Sequence, residues 1–443
     1  MANINELGTR PVARLLWQYS VPAVVGMVVV SLYNVIDRVI IGQQVGPNAI
    51  AGLAITFPVM NLTTALGTLI GVGASARVSI LLGQKRVRDA SVILGNSLTL
   101  TLIIGTLYIL GFGLFLEDIL RAFGASDNTL PYAYDFMSTL LPGLLLMNLT
   151  FSFNNIQRAS GYPRRAMMAM LLSTAVNLVL ALVFVIGLDW GIRGAALATD
   201  IAMLSAMAFV MWHFTRRDST VRFERGTYSL QWPVILSIVS IGAAPALVNA
   251  AGCLINVLIN NSLVRFGGDV AVGAAGVFTT YTQLICMVVI GICQGMQPIV
   301  GYNYGAGHYG RMRRAYTLAV MASTVLCFVG AIGAWTIPDL VARAFTTDPG
   351  LTAAIVQCLR LALLAFVVVG FQIVSTNFFQ SIGKAGQSIL LSLTRQVIFL
   401  IPLILVLPRY FALDGVWLSF PISDTLATIL TAYLIWRQFR KMP

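Results

Sequence analysis

Charged residues are scarce in this sequence: Asp, Glu, Lys and Arg make up 10% of its 443 residues. An ordinary soluble domain carries roughly 25%. Hydrophobic residues reach 58%, and the mean hydropathy is +0.85. Apolar runs of the length that crosses a bilayer, about 20 residues, recur along the whole chain. The segments between them are no longer than loops. The composition therefore predicts an all-α integral membrane protein without an extramembrane domain.

Motifs of metal sites and catalytic sites are also missing. The five cysteines lie inside apolar runs and form no CxxC pair, which argues against disulfides and against a metal site. His213 and His308 fall among basic residues near loops, where solvated side chains are expected. The sequence contains no HExxH and no GxSxG motif. These absences favour a protein that is not an enzyme and that needs no cofactor.

The apolar runs are separated by Gly, Pro, Asn and clusters of charge. Dividing the chain at these breaks predicts twelve membrane-spanning helices. The predicted spans are residues 15–41, 51–82, 91–115, 131–157, 166–187, 194–214, 233–264, 272–300, 315–337, 350–380, 388–407 and 415–436.

Basic residues are distributed unevenly between alternate connections. Nineteen lysines and arginines fall in or beside one set of connections, and five fall in the other. Lys and Arg in short loops are retained on the cytoplasmic side of a membrane. The asymmetry predicts that both termini are cytoplasmic. It also explains the formal net charge of +12 through topology signals and contacts with anionic lipids, so no nucleic acid is expected as a partner.

The sequence repeats after about 224 residues. The halves predicted from this repeat are an N-terminal lobe of residues 1–215 and a C-terminal lobe of residues 233–443, joined by a basic cytoplasmic linker, residues 216–232. An even number of spans in each half gives both halves the same orientation, and parallel repeats of this kind build transporters with a substrate site between them. Among the aligned pairs are Gly52 with Gly276, Gly67 with Gly291, Gly71 with Gly295, and Arg121-Ala122-Phe123 with Arg343-Ala344-Phe345.

Four segments, in both halves, carry a family resemblance: LYNVIDRVIIGQQVGPNAIAGL (32–53), IGICQGMQPIVGYNYGAG (290–307), LSLTRQVIFLIPL (391–403) and GVWLSFPISDTLATI (415–429). They resemble the multidrug and toxic compound extrusion (MATE) family, most closely its MepA-like branch, within the polysaccharide-exporter and flippase superfamily. The resemblance implies two bundles of six helices around a central cleft. It also implies a monomer in the bacterial inner membrane that exports cationic amphipathic compounds in exchange for H+ or Na+ by alternating access.

Ionisable groups inside membrane spans mark ion or substrate paths. Asp37 lies about five residues, roughly 7 Å, inside the outer end of the first span, and Asp200 reaches a similar depth in the sixth. Asn177 and Thr199 could add neutral oxygens, and this set suits a small cation. A buried carboxyl group suits a proton equally well. We therefore predict that these four residues bind the coupling ion, H+ or Na+. No other metal ion is predicted.

The resemblance supports these four residues unevenly. Asp37, Asn177 and Thr199 match the family's helix 1 Asp, helix 5 Asn and helix 6 Thr. The family often carries an Asp one turn after that Asn, where this chain has Ala181. Asp200 matches no position of the family pattern. It is a candidate to replace the missing carboxylate, although Thr199 and Asp200 point about 100° apart on a helix.

Other polar or adaptable residues are candidates for the lining of the cleft. Small polar groups also join helices in any bundle, so both interpretations stay open. Asp424 is the one acid deep in the second half, and Arg395 is its expected structural partner. The two could form a buried pair that holds the lobe together, or Asp424 could contact the substrate directly. The cleft and substrate candidates are Tyr33, Met60, Asn256, Asn260, Asn261, Gln294, Gln297 and Asp424.

Two transport functions are compatible with these features. The first is a secondary antiporter for organic cations. The alternative is a flippase for lipid-linked oligosaccharides, whose anionic substrates call for a cleft lined by Lys or Arg. The deep charges here are mostly acidic, with Arg395 as the exception, and this sign favours the antiporter.

Overall fold

The structure is a computed structural model. It describes residues 5–442, apart from the side chains of Asn34, Pro47, Asn48 and Cys253. The sequence-based expectation for Cys253 therefore lies outside the described residues. The other four cysteines are free thiols.

The described part of the chain is helical and contains no strand. The predicted twelve spans are confirmed, and three short helices, Glu6–Thr9, Leu116–Ala122 and Pro338–Arg343, lie outside them. The spans are α1 (Val12–Gln44), α2 (Pro47–Gly83), α3 (Val87–Leu114), α4 (Leu130–Ala159), α5 (Pro163–Ala181, continued by the π-helical segment Leu182–Gly187), α6 (Gly191–Thr215), α7 and α8 (together Trp232–Gly305), α9 (Tyr309–Thr336), α10 (Pro349–Ala362 and Phe366–Ser381), α11 (Ala385–Leu393, the π-helical segment Thr394–Leu400 and Ile401–Val406) and α12 (Pro408–Arg440).

One continuous helical stretch, Trp232–Gly305, provides two spans. A straight helix of its 74 residues would be about 110 Å long, whereas the hydrocarbon core of a bilayer is only about 30 Å thick. The stretch breaks at Gly268, where φ is 65°. This left-handed conformation is readily adopted by glycine, and the break separates α7 from α8.

The breaks between spans follow the sequence repeat. Gly268 corresponds to Gly46, which lies between α1 and α2 with φ of 107°. Gly383, between α10 and α11, has φ of 73° and corresponds to Gly161, between α4 and α5, with φ of 99°. The two halves therefore share their turns as well as their spans.

The two lobes contact each other at the end that carries the basic loops. A side chain on Gly73 of α2 would overlap the backbone of Ile238 on α7, and one on Gly305 of α8 would overlap the backbone of Ile80 on α2. Towards the opposite end, α1 and α7 expose apolar side chains, among them Val35 at 61%. These two close backbone contacts between the lobes lie towards the basic end.

The connection between the lobes is fixed to the N-terminal lobe. Asn96 on α3 donates to the carbonyl of Thr227 (3.1 Å), and the backbone nitrogen of Gln231 donates to Asn96 Oδ1 (2.8 Å). Phe223 packs against Phe214 of α6, with ring centroids 5.9 Å apart. The linker is therefore folded along α3 and the end of α6.

Candidate functional site

Three of the predicted polar residues meet inside the N-terminal lobe. The amide nitrogen of Asn177, on α5, donates to Thr199 Oγ1 on α6 (3.0 Å). The hydroxyl of Tyr33, on α1, lies 3.5 Å from the same oxygen. Thr199 also donates to the carbonyl of Ala195 in its own helix (3.1 Å). Three helices thus converge on a single hydroxyl group.

Asp37 extends this cluster along α1. It follows Tyr33 by four residues, so both side chains lie on one face of the helix, and the two groups interact electrostatically. Asp37 Oδ1 is buried, and so is Asn177 Oδ1; neither has a hydrogen-bond partner in the part of the chain that the structure describes. Unsatisfied buried acceptors are unfavourable in a protein interior. Two such oxygens within one polar region are suited to receive a proton or a cation.

Asp200 points to a different neighbour. Its carboxylate lies against Gly143 of α4, where an added Cβ would overlap it. The adjacent Thr199 faces Asn177 and Tyr33 instead. The structure therefore brings Tyr33, Asn177 and Thr199 together, with Asp37 one turn away, and turns Asp200 towards α4. Asp200 Oδ1 is also buried without a partner among the described residues.

The remaining cleft candidates occupy four different settings. Met60, on α2, packs against the apolar core in the outer part of the N-terminal lobe. Asn256, Asn260 and Asn261 are all exposed on α7.

Gln294 and Gln297 lie in the contact between the lobes. Gln297 donates to Ser75 Oγ on α2 (3.0 Å). Gln294 accepts a hydrogen bond from the guanidinium of Arg158 on α4. Both glutamines of α8 therefore bind the opposite lobe instead of standing on an open wall.

Asp424 forms a buried ion pair in the C-terminal lobe. Arg395 Nε, in the π-helical segment of α11, lies 2.7 Å from Asp424 Oδ1 on α12. The backbone carbonyl of Arg395 accepts a bond from Ser423 (2.7 Å), and Gln372 of α10 donates to the backbone carbonyl of Asp424. The Arg395 side chain is 31% exposed and that of Asp424 9%. Three helices are thus joined through this pair.

With the geometry described, comparison with known proteins identifies the family. The MatE family profile matches residues 22–183 and residues 244–406. The two matches fall on α1–α5 and on the repeat-related α7–α11. The chain belongs to the MatE family.

Individual relatives of this MatE chain agree with the assignment. The multidrug export protein MepA of Staphylococcus aureus (strain MRSA252) is 25% identical over 428 residues, which cover 96% of this chain and 94% of the relative. A solved structure of the MATE multidrug transporter DinF-BH is 35% identical, with a TM-score of 0.91 over 97% of this chain and 96% of that one.

A second solved structure shares the fold. It is the outward-facing conformation of a multidrug resistance MATE family transporter, 24% identical, with a TM-score of 0.92 over 99% of this chain and 98% of that one. The predicted family and the predicted two-lobe, twelve-helix fold are both confirmed.

One expectation for this MatE chain is wrong. His213 was expected to be solvated, but it is 1% exposed. Its ring nitrogens lie 2.7 Å from Arg165 Nη1 and 3.2 Å from Ser219 Oγ. The linker folds back over the end of α6 and covers the ring. His308, on the other hand, is exposed as expected.

Arg158 is one of the basic residues beside the cytoplasmic connections in the sequence, and its place between the lobes was not predicted. The side chain is 5% exposed and lies between the two lobes of the MatE fold. The run Asn154-Asn155-Ile156-Gln157-Arg158 is polar although it ends an apolar span. Such a run indicates that this turn of the helix faces protein rather than lipid.

Proposed function

We propose that this chain is a secondary active multidrug efflux antiporter that exports organic cations in exchange for H+ or Na+. One observation carries the proposal: the unpartnered buried carboxylate oxygen of Asp37, next to the cluster of Tyr33, Asn177 and Thr199. Asp37 forms no ion pair among the described residues, and such an acid gains a counter-charge when it binds a cation. The names of the MepA relative and of DinF-BH, a multidrug export protein and a multidrug transporter, support the same function.

Exchange requires that the coupling ion and the cargo favour different states. In our proposal, H+ or Na+ enters from the open end of the lobes and neutralises Asp37. The cluster around Thr199 then rearranges, and affinity for the organic cation falls. A ligand shifts a conformational equilibrium only through its differential affinity for the two states. The proposed coupling is therefore a difference in the affinity for cargo between the charged and the neutral Asp37.

We further propose that the closed end of the molecule faces the cytoplasm. The basic loops lie at this end, and Lys and Arg in short loops are retained inside. Both termini are then cytoplasmic, and the chain lies in the bacterial plasma membrane in an outward-facing state. The likeness to an outward-facing MATE transporter supports this assignment. We propose that the transporter acts as a monomer.

In the same proposal the lobes are residues 1–215 and 233–443, and they move as two bodies. Residues 216–232 belong mechanically to the first body, because Asn96 and Phe214 hold this linker. The hinge then lies at the start of α7, near Trp232.

A flippase for anionic glycolipids is less well supported. Its cleft needs unbalanced positive charge to hold an anionic head group. Arg395, the basic residue that the sequence offered for this role, lies 2.7 Å from Asp424, which balances its charge. Arg158, which forms no ion pair among the described residues, lies in the closed contact between the lobes instead of on an open cleft wall.

The decisive experiment measures ethidium transport in vesicles reconstituted with the purified protein. A pH gradient alone and then a Na+ gradient alone are imposed, and ethidium movement is followed by fluorescence. The wild-type protein should respond to at least one gradient, and Asp37→Asn should respond to neither. Asp135→Asn is the matched control, since Asp135 is an acid of the same lobe that lies in an exposed ion pair; this variant should transport at the wild-type rate.

The proposal fails if Asp37→Asn, at equal protein density, moves ethidium as fast as the wild-type protein. It also fails if the wild-type protein ignores both gradients.

A further inference from the structure

Arg158 is a buried cation at the contact between the lobes. It lies in the last turn of α4 and is 5% exposed. One terminal nitrogen donates to Asn154 Oδ1 in the same helix (2.9 Å), and the other donates to Gln294 Oε1 of the opposite lobe. Both acceptors are neutral amides, so the hydrogen bonds leave the charge of the guanidinium in place.

This charge has no acidic partner. Arg158 belongs to none of the ion pairs formed by the described residues. An arginine stays protonated in proteins. Burying an ion without a counter-charge is costly, so this residue is a candidate for a function.

The charge is confined to one half of the repeat. Position 158 corresponds to position 380 by the same shift that pairs Gly161 with Gly383, and residue 380 is a buried glutamine. Gln380 is neutral and lies at the equivalent end of α10. The repeat therefore does not require a charge at this place.

Arg158 lies within the packed contact at the closed end. Gln294, its partner, is one turn of α8 away from Gln297, which binds Ser75 of α2. Close backbone packing surrounds this region, as at Gly295 of α8, where an added Cβ would overlap Ser20 of α1. A cation that moved along the lobe contact would therefore pass within a few residues of the guanidinium.

We propose that Arg158 seals the closed end of the transporter against cations. The inference deepens the proposed function, because an antiporter driven by H+ or Na+ must prevent these ions from crossing without cargo. A fixed positive charge in a narrow path raises the energy of a passing cation, as an arginine does in channels that exclude protons. When the lobes part at this end, Gln294 moves away with the C-terminal lobe, Arg158 becomes hydrated, and the barrier falls.

The test measures ion leak without any substrate. The purified full-length protein is reconstituted in vesicles of neutral lipid that contain a pH dye or a Na+ dye, and a potassium diffusion potential drives cation entry. Arg158→Gln installs the residue found at position 380 and should raise the leak about ten-fold. At an intermediate dielectric constant, the repulsion between the guanidinium and a cation several ångströms away changes the rate of cation passage by about this factor. Arg158→Lys should stay near the wild-type leak. Arg164→Gln, at an exposed arginine in the first turn of α5, is the matched control and should not leak.

Two further variants separate the charge from the hydrogen bond. Gln294→Glu keeps a partner for Arg158 but cancels its charge, so it should leak. Gln294→Ala removes the bond between the lobes and leaves the charge, which Asn154 still holds, so it should not leak. Tight vesicles with Arg158→Gln, or equal leaks in Gln294→Ala and Arg158→Gln, would overturn the proposal. These results are independent of ethidium transport, so failure of the proposed function would be recognised separately.

Discussion

Arg193 Nη2 lies 2.7 Å from Asp135 Oδ1, and this ion pair ties α6 to α4 at the end of the N-terminal lobe away from the basic loops. The C-terminal lobe has a tie at the equivalent place. Gln357 of α10 donates to Asp414 Oδ1 of α12 (2.6 Å). The two positions correspond through the sequence repeat, although the residue types differ. The equivalent pair of helices is therefore joined by an ion pair in the N-terminal lobe and by an amide–carboxylate hydrogen bond in the C-terminal lobe.

The first prediction exchanges the chemistry of these ties. Arg193→Met should lower the unfolding temperature by about one or two degrees at most, because exposed ion pairs contribute little to stability. Asp135→Gln combined with Arg193→Asp copies the tie of the C-terminal lobe and should restore the wild-type value. Thermal unfolding in detergent at low and high salt measures both effects. A double variant less stable than the single one would show that the ties are not equivalent.

The second prediction concerns the hydroxyl on which three helices converge. Thr199→Val removes the acceptor of the Asn177 amide and the neighbour of the Tyr33 hydroxyl. Leaving a buried amide unpaired costs about 1–3 kcal/mol, so ethidium exchange should slow by about ten-fold or more. Thr199→Ser keeps the oxygen and should retain most of the rate. Equal rates in the two variants would exclude a role for the hydroxyl.

The third prediction concerns the pair Arg395 and Asp424. Arg395→Met leaves the Asp424 carboxylate buried without its partner, and breaking a buried pair in this way costs about 3–5 kcal/mol. Arg395→Met together with Asp424→Leu removes both charges and should recover most of the loss. The yield of monodisperse protein and the unfolding temperature check the result. If Asp424 instead contacts substrate, the double variant will be stable but will have lost ethidium transport.

The fourth prediction tests where Asp200 points. Gly143→Ala places a methyl group where the Asp200 carboxylate lies, and overpacking of this kind costs about 1–3 kcal/mol. Adding Asp200→Ala should relieve the collision and restore stability. Gly111→Ala is the control, since a Cβ there meets nothing within 4 Å. A Gly143→Ala variant as stable as the wild type would place the carboxylate elsewhere.

The sequence points to site residues most clearly where a single polar residue stands in an apolar span. Asp37, Asn177 and Thr199 are polar within apolar helices, and the structure gathers Asn177, Thr199 and Tyr33 at one hydroxyl, with Asp37 one turn away. The direction of Asp200 could not be read in this way. Adjacent helical residues point to different neighbours, and which neighbour each one meets depends on how α4, α5 and α6 pack.

The sequence by itself determined the twelve spans, the repeat and the family. These follow from the length and order of apolar runs, because a lipid environment requires each span to satisfy its own backbone hydrogen bonds. Tertiary structure alone decided which polar side chains share a site and which join the lobes. Arg158 illustrates the difference: its charge is visible in the sequence, but its burial against Gln294 comes from a contact between residues 136 positions apart, which only the packing of the two lobes creates.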